Sequence, residues 1–151
     1  MDIERPKVGV GIIVIKKEGD SSYVMLHKRK KASLGKDYWG SGGGHLELGE
    51  SLMAGALREL SEEAGSSVVV KNVKFLAVSN FTDFQPKHYV DISFVADWVS
   101  GEPVNTEPEK MTAWQWFRLD DLPTPLFPPL ERYFLALKTG DYFFDSSFAD
   151  Q

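Results

Sequence analysis

Six positions within a short stretch carry most of the chemistry legible in this chain. Gly44 is followed after five residues by Glu50, and seven further residues lead to Arg58-Glu59-Leu60-Ser61-Glu62-Glu63-Ala64-Gly65. Glu59, Glu62 and Glu63 stand three and four positions apart, so on a helix they project on neighbouring parts of one face. Carboxylates crowded in this way repel one another, and hard oxygen ligands of this kind suit Mg²⁺ or Mn²⁺. Such a cation neutralises phosphate oxygens and activates water, which is what phosphoryl transfer requires. Arg58 is placed to hydrogen-bond an acidic neighbour and fix its orientation. Glu59 and Glu63 are the leading candidate ligands, Glu62 is next, and Glu50 is a further ligand or a water-orienting group. A solvated Glu-rich helix would explain Glu-x-x-Glu-Glu alone, but not Gly44 and Glu50 at their offsets.

The elements that must position these groups can be read around them. Ser51 is a helix N-cap candidate, Leu52, Ala56, Leu57, Leu60 and Ala64 recur at helical spacing, and Gly65 sits where a left-handed residue would close the helix. The spacing predicts a helix over 51–64, its acidic face beside its apolar stripe. Trp39-Gly40-Ser41-Gly42-Gly43-Gly44 reads as a glycine-rich loop, in which backbone groups can approach phosphate or metal without a Cβ in the way. Strands are expected at 8–15, 23–27, 68–70, 75–81, 89–99 and 113–117, with a polar loop containing Pro86 between the two long ones. A second helix is expected at 130–138. Mixed strands with two helices point to an α+β fold, helices covering both sides of a mixed sheet.

Composition bounds the rest. At 151 residues the chain is most simply one domain, 1–151, with a single core. The longest apolar run, Val8 to Ile15, is too short to span a membrane, and Asp2 and Glu4 argue against a signal peptide. Without cysteine there is no disulfide, thiolate nucleophile or zinc–cysteine site, and a cytoplasmic location is expected. A net charge of −5 argues against a nucleic-acid polymer as partner. The local basic run His27-Lys28-Arg29-Lys30-Lys31 is either a solvated hairpin end or, through Arg29 or a neighbouring lysine, a contact for polyphosphate.

The Gly44–Gly65 spacing resembles the Nudix box of Mg²⁺-dependent hydrolases that cut nucleoside diphosphates linked to another group. That resemblance covers nearly the whole chain and implies an α/β/α sandwich. It also implies that a backbone carbonyl of Gly43 or Gly44 completes the metal shell beside Glu59, Glu62 and Glu63. Two positions depart from the family pattern: Gly42 stands where proline is usual, and Ser66 where an aliphatic residue is usual. Val8-Gly9-Val10-Gly11, Gly43-Gly44-His45-Leu46-Glu47, His88-Tyr89-Val90, Glu107-Pro108-Glu109-Lys110 and Trp114-Gln115-Trp116 look like the nucleotide triphosphate diphosphatase branch, Nudix hydrolase fifteen, among the MutT-like enzymes. That resemblance implies removal of pyrophosphate from nucleoside triphosphates, including dGTP and oxidised or modified purine forms, and a homodimer.

Candidate substrate contacts lie mostly outside the box. Glu109 lies where some members carry a further acid for metal or base, against the alternative of an exposed loop carboxylate. Phe127 and Leu130 could wall a planar base, against the alternative of ordinary core. His45 could hydrogen-bond phosphate; His88 reads as a structural or dimer-surface residue, and Tyr142-Phe143-Phe144 as packing or interface. An ADP-ribose diphosphatase is the rival within the class, although its branch carries a proline nearer the box than Pro86. Tyr89 likewise lies too far for the dinucleoside polyphosphate branch. The isopentenyl diphosphate isomerase branch needs a cysteine this chain lacks. A binding-only Nudix domain would be marked by loss of the metal carboxylates, and no basic stripe supports action on an RNA 5′ end.

Overall fold

The computed structural model describes residues 4–30, 36–82 and 87–145; Asp2, Lys31 and Pro86 lie outside them. The central strand is β1 (Lys7–Glu18), whose residues 9 to 15 are all buried. A strand buried on both faces reads as a continuous apolar run, which is what Val8 to Ile15 supplies. β1 pairs along one edge, in parallel, with β6 (Tyr89–Ser100), Gly9 opposite Asp91. Its other edge is shared: Gly9 to Ile12 pair with β4 (Gly42–His45), and Ile15 to Glu18 with β2 (Ser21–Lys28), both antiparallel. β2 in turn pairs with β3 (Trp39–Gly40) and β7 (Gln115–Arg118), while β5 (Val69–Phe81) joins β6 and β8 (Phe143–Phe144) joins β5. The sheet is mixed, as the expected α+β class requires.

Alternation along β1 assigns its two faces. Val10, Ile12 and Val14 pack with Ala56, Leu60 and Ala64 of α1 (Leu52–Ala64). Ile13 and Ile15 pack with Leu130 and Tyr133 of α2 (Pro128–Thr139) on the opposite face. Burying an aliphatic side chain of this size contributes about 2 kcal/mol, so these stripes, more than helix propensity, hold the helices in place. No helix among the described residues is long and apolar enough to cross a membrane.

Several expectations need correction. The segments at 68–70 and 75–81 form one strand, β5, with register shifts after Val69, Lys71 and Phe75. Asn72 adopts φ 52 in that stretch, so the polar residues mark bulges inside a strand and not a turn between two. The glycine-rich stretch contributes strands β3 and β4 where a loop was expected, because β1 and α1 fix it from both sides against its weak strand propensity. β8 was not anticipated. α2 begins two residues early, with proline in its first turn, where the missing N–H costs nothing. Gly65 closes α1 with φ 85 and ψ 166, a positive φ but not the left-handed helical conformation.

Ser51 caps α1, its Oγ accepting from the Ala54 N–H at 3.1 Å. Ser51→Ala is expected to lower unfolding free energy by about 1 kcal/mol. Urea unfolding of the two proteins checks this, and an unchanged midpoint would contradict it.

Candidate active site

With Ala56, Leu60 and Ala64 directed into the sheet, the adjoining face of α1 carries Glu59 and Glu63 over β4. The Gly43 N–H donates to Glu63 Oε1 at 2.7 Å. A Cβ on Gly44 would overlap the Glu59 carboxylate, so only glycine permits this approach of strand to helix. The glycine-rich stretch is here a strand and not a loop, and its backbone meets the α1 carboxylates.

Arg58 organises the surrounding acids. Its Nε and Nη2 donate to the two Glu50 oxygens at 3.0 and 2.8 Å, a paired geometry that fixes the guanidinium plane. Nη1 donates to Glu59 Oε1 at 2.9 Å and Glu62 Oε2 at 3.2 Å, and Nη2 also reaches the His45 carbonyl at 3.0 Å. Glu50 Oε1 additionally accepts from the Glu47 N–H at 2.7 Å. The Arg58 hydrogen bonds, helped by that N–H, hold the Glu50 carboxyl down at about 2. Glu50 is therefore the anchor of Arg58 in this structure, a different place from the ligand or water-orienting one considered from sequence.

Burial sets the opposite tendency at the helix face. It raises Glu59, against the opposing Arg58 contact, and Glu62 and Glu107 add to the rise. Burial likewise pushes Glu63 up to about 8, opposed by the Gly43 N–H and Arg29 and reinforced by Glu59 and Glu107. Buried His27 stands with Nε2 3.9 Å from Glu63 Oε2 and its ring edge-on to Trp114. Because burial lowers His27 to about 4, it meets Glu63 as a neutral imidazole and not as an ion-pair partner.

Glu107, two residues before Glu109, is the acid of this turn whose charge bears on the α1 carboxylates. Its charge reaches Glu59 and Glu63, whereas exposed Glu109 acts on Lys110. The Glu107 N–H is held by Asn105 Oδ1 at 3.1 Å, and Lys110 Nζ pairs with Glu107 Oε2 at 3.0 Å. Two glutamates two residues apart in a turn carry no periodicity that would have chosen between them.

On the other side of β4 lies a cavity of about 340 Å³, lined by Gly42, Gly43, Gly44, His45, Arg29, Phe127 and Leu130 among others. The Arg29 guanidinium stacks 4.1 Å from the Phe127 ring centre, and its charge reaches Glu63. His45 is exposed at the rim, its ring 5.7 Å from Tyr89. Phe127 is half-buried and Leu130 buried, so both serve the core as well as the wall. His88 Nε2 meets Asn80 Oδ1 at 2.5 Å. The cavity also contains Asp91 and Tyr133, which no sequence motif marked.

The donor set fits a hard divalent ion: carboxylates of graded exposure, one of them raised chiefly by burial and further by its like-charged neighbours, beside glycine backbone that no Cβ covers. Among the described residues no three acidic or His side chains already converge as a cage. Arg58 draws Glu59 and Glu62 one way while Gly43 holds Glu63.

The family model of the NUDIX domain matches residues 5–137, so the chain belongs to the Nudix family and is a Nudix hydrolase. It is 37% identical over 112 residues to the oxidized purine nucleoside triphosphate hydrolase of Mus musculus, covering 72% of this chain and 67% of that one. It is 32% identical over 124 residues to the NAD-capped RNA hydrolase of Klebsiella pneumoniae, covering 82% of this chain but only 44% of that relative. Among solved structures it is similar to a MutT NUDIX hydrolase from Burkholderia pseudomallei, with TM-score 0.74 and 32% identity, covering 91% of this chain and all of the other. Nudix hydrolases generally use a divalent metal, and the α1 carboxylates are where such an ion fits this chain.

A carboxyl raised in the folded state binds its proton more tightly there than in the unfolded chain. The associated stability is present below the ordinary carboxyl value and is lost as pH rises through the folded one. Glu63 therefore predicts that metal-free protein loses stability between about pH 6.5 and 8.5, above the titration of Asp91 at about 6. Thermal unfolding in EDTA should show the decline, and Glu63→Gln should flatten it. An equal slope in the variant would contradict the burial assigned to Glu63.

Proposed function

We propose that this protein is a Mg²⁺-dependent nucleoside triphosphate diphosphatase, releasing nucleoside monophosphate and pyrophosphate, with dGTP and oxidised or modified purine triphosphates as substrates. The observation that carries the reading is the position of β4. Its glycine backbone has an aromatic-walled cavity on one side and the α1 carboxylates on the other. A base between Phe127 and Leu130 would direct its phosphates past Arg29 and across Gly43 and Gly44 toward Glu59, Glu62 and Glu63. The likeness to the mouse oxidized purine nucleoside triphosphate hydrolase supports the same choice.

In this reading Glu59, Glu62 and Glu63, with the Gly44 carbonyl, would hold the metal, with Mn²⁺ able to substitute. Bound there, Mg²⁺ supplies charge neutralisation at phosphate oxygens and a more acidic water. The chain's own residues do the rest. Arg58, locked by Glu50, orients Glu59 and Glu62; Arg29 and His45 meet phosphate; Phe127 and Leu130 exclude water from the base. Water attacks phosphorus, a carboxylate of the set takes its proton, and the P–O bond to the departing group breaks. Glu107 takes the place considered for Glu109 as the further acid. We read the whole chain as one Nudix domain working in the cytoplasm as a homodimer, a second copy covering the exposed Phe75, Tyr142 and Phe143.

The test is a panel of normal and oxidised nucleoside triphosphates, ADP-ribose, diadenosine polyphosphates and NAD-capped RNA, each with and without Mg²⁺. Mg²⁺-dependent pyrophosphate release from purine triphosphates is expected, and Glu63→Gln should lower kcat by about a hundredfold or more with the fold intact. Turnover like wild type in that variant would remove Glu63 from the metal set. Cleavage confined to ADP-ribose or another diphosphate-linked nucleoside would replace the substrate assignment; silence on every substrate would favour a binding role.

A further inference from the structure

On the α2 face of the sheet, β1 presents Gly9 and Gly11 in the same alternation that presents Ile13 and Ile15 further along. Gly9 lines the cavity, and the space beside Gly11 is taken by the Tyr133 hydroxyl. Asp91 enters the cavity from β6, where it pairs in register with Gly9, and Tyr133 enters from α2. The Tyr133 hydroxyl donates to Asp91 Oδ2 at 2.6 Å. A Cβ on Gly9 would lie 3.0 Å from Asp91 Oδ1, and one on Gly11 would overlap the Tyr133 hydroxyl. The glycines thus make room for an acid and its hydrogen-bond donor inside the cavity.

A carboxyl buried in an apolar strand needs an explanation. Among the described residues, the Tyr133 hydroxyl is the one group that offsets the burial of Asp91. It engages one oxygen and leaves Oδ1 in the space over Gly9. Burial pushes the carboxyl up to about 6, so it remains mostly ionised at neutral pH and does so at a cost in stability. An asparagine would keep the hydrogen bond to Tyr133 without that cost, so the retained charge points to a ligand with N–H donors.

We propose that Asp91, positioned by Tyr133, is the specificity-determining residue of the cavity and reads a nucleobase edge carrying two adjacent N–H donors, as guanine does with N1–H and its 2-amino group. The inference rests on reading the cavity as a nucleotide site. An ionised carboxylate only accepts hydrogen bonds, and it can take two parallel N–H donors at once. Uracil and thymine offer one N–H between two carbonyls, whose oxygens a carboxylate repels. Adenine offers a donor beside an acceptor. Of these, the guanine-type edge alone offers a carboxylate two adjacent donors.

The experiment compares kcat/KM for dGTP, dITP and dATP in wild type, Asp91→Asn and Tyr133→Phe, each shown folded by circular dichroism. Hypoxanthine differs from guanine only in lacking the 2-amino group. Wild type should prefer dGTP over dITP on the order of tenfold to a hundredfold, and Asp91→Asn should bring that ratio close to one. Tyr133→Phe should give an intermediate ratio; an unchanged ratio would overturn its positioning role. A dGTP to dITP ratio unaltered in Asp91→Asn, or an equal fall on all three substrates, overturns the assignment in favour of a structural carboxyl. Calorimetric binding of GMP and IMP separates this inference from the triphosphatase reading. A GMP preference lost in Asp91→Asn upholds it even if no triphosphate is cleaved, and equal binding to wild type overturns it.

Discussion

The close seat of α1 against the glycine backbone of β4 is the constraint on which the site depends. Glu63 takes the Gly43 N–H, and the Glu59 carboxylate lies where a Gly44 side chain would be. Leu60, between these glutamates in sequence, anchors the same helix in the core. Apolar burial sets the helix position, and that position brings two carboxylates against backbone. The resulting desolvation raises them, and Arg58 offsets part of it for Glu59. Hydrophobic packing and functional electrostatics are therefore one arrangement read from two sides of a helix.

β4 also divides the labour of the molecule. Its α1 side gathers negative charge suited to a cation; its other side borders a cavity of mixed polar and apolar lining with Arg29 stacked on Phe127. Glycines at 42, 43 and 44 keep the partition thin. Gly9 and Gly11 of the neighbouring β1 make room in the same way, for Asp91 entering from β6 and the Tyr133 hydroxyl from α2. In both strands glycine serves close approach more than flexibility.

Local chemistry was legible in the sequence; long-range placement was not. Glu59, Glu62 and Glu63 could be put on one helix face because helical periodicity spans only a few residues, and the Ser51 cap and apolar stripe confirmed each other. The alternating and continuous apolar runs gave β1, β2 and β6 within a few residues. The bulges of β5 misled because polar residues inside a strand look like a turn, and the β4 glycines misled because their strand state is imposed by neighbours. Glu107 could not be preferred to Glu109 without the turn geometry. Asp91 is one of two acids, with Asp97, in the strand 89–99, and its meaning depends on Gly9 and Tyr133, distant in sequence and joined by the fold.

The most direct test of this arrangement is Gly44→Ala, with Mn²⁺ binding measured by calorimetry alongside Mg²⁺-dependent turnover. An added methyl must displace the Glu59 carboxylate, so metal affinity and kcat should both fall by about tenfold or more while the protein remains folded. Affinity and turnover equal to wild type would show that the seat of α1 on β4 does not set the metal site.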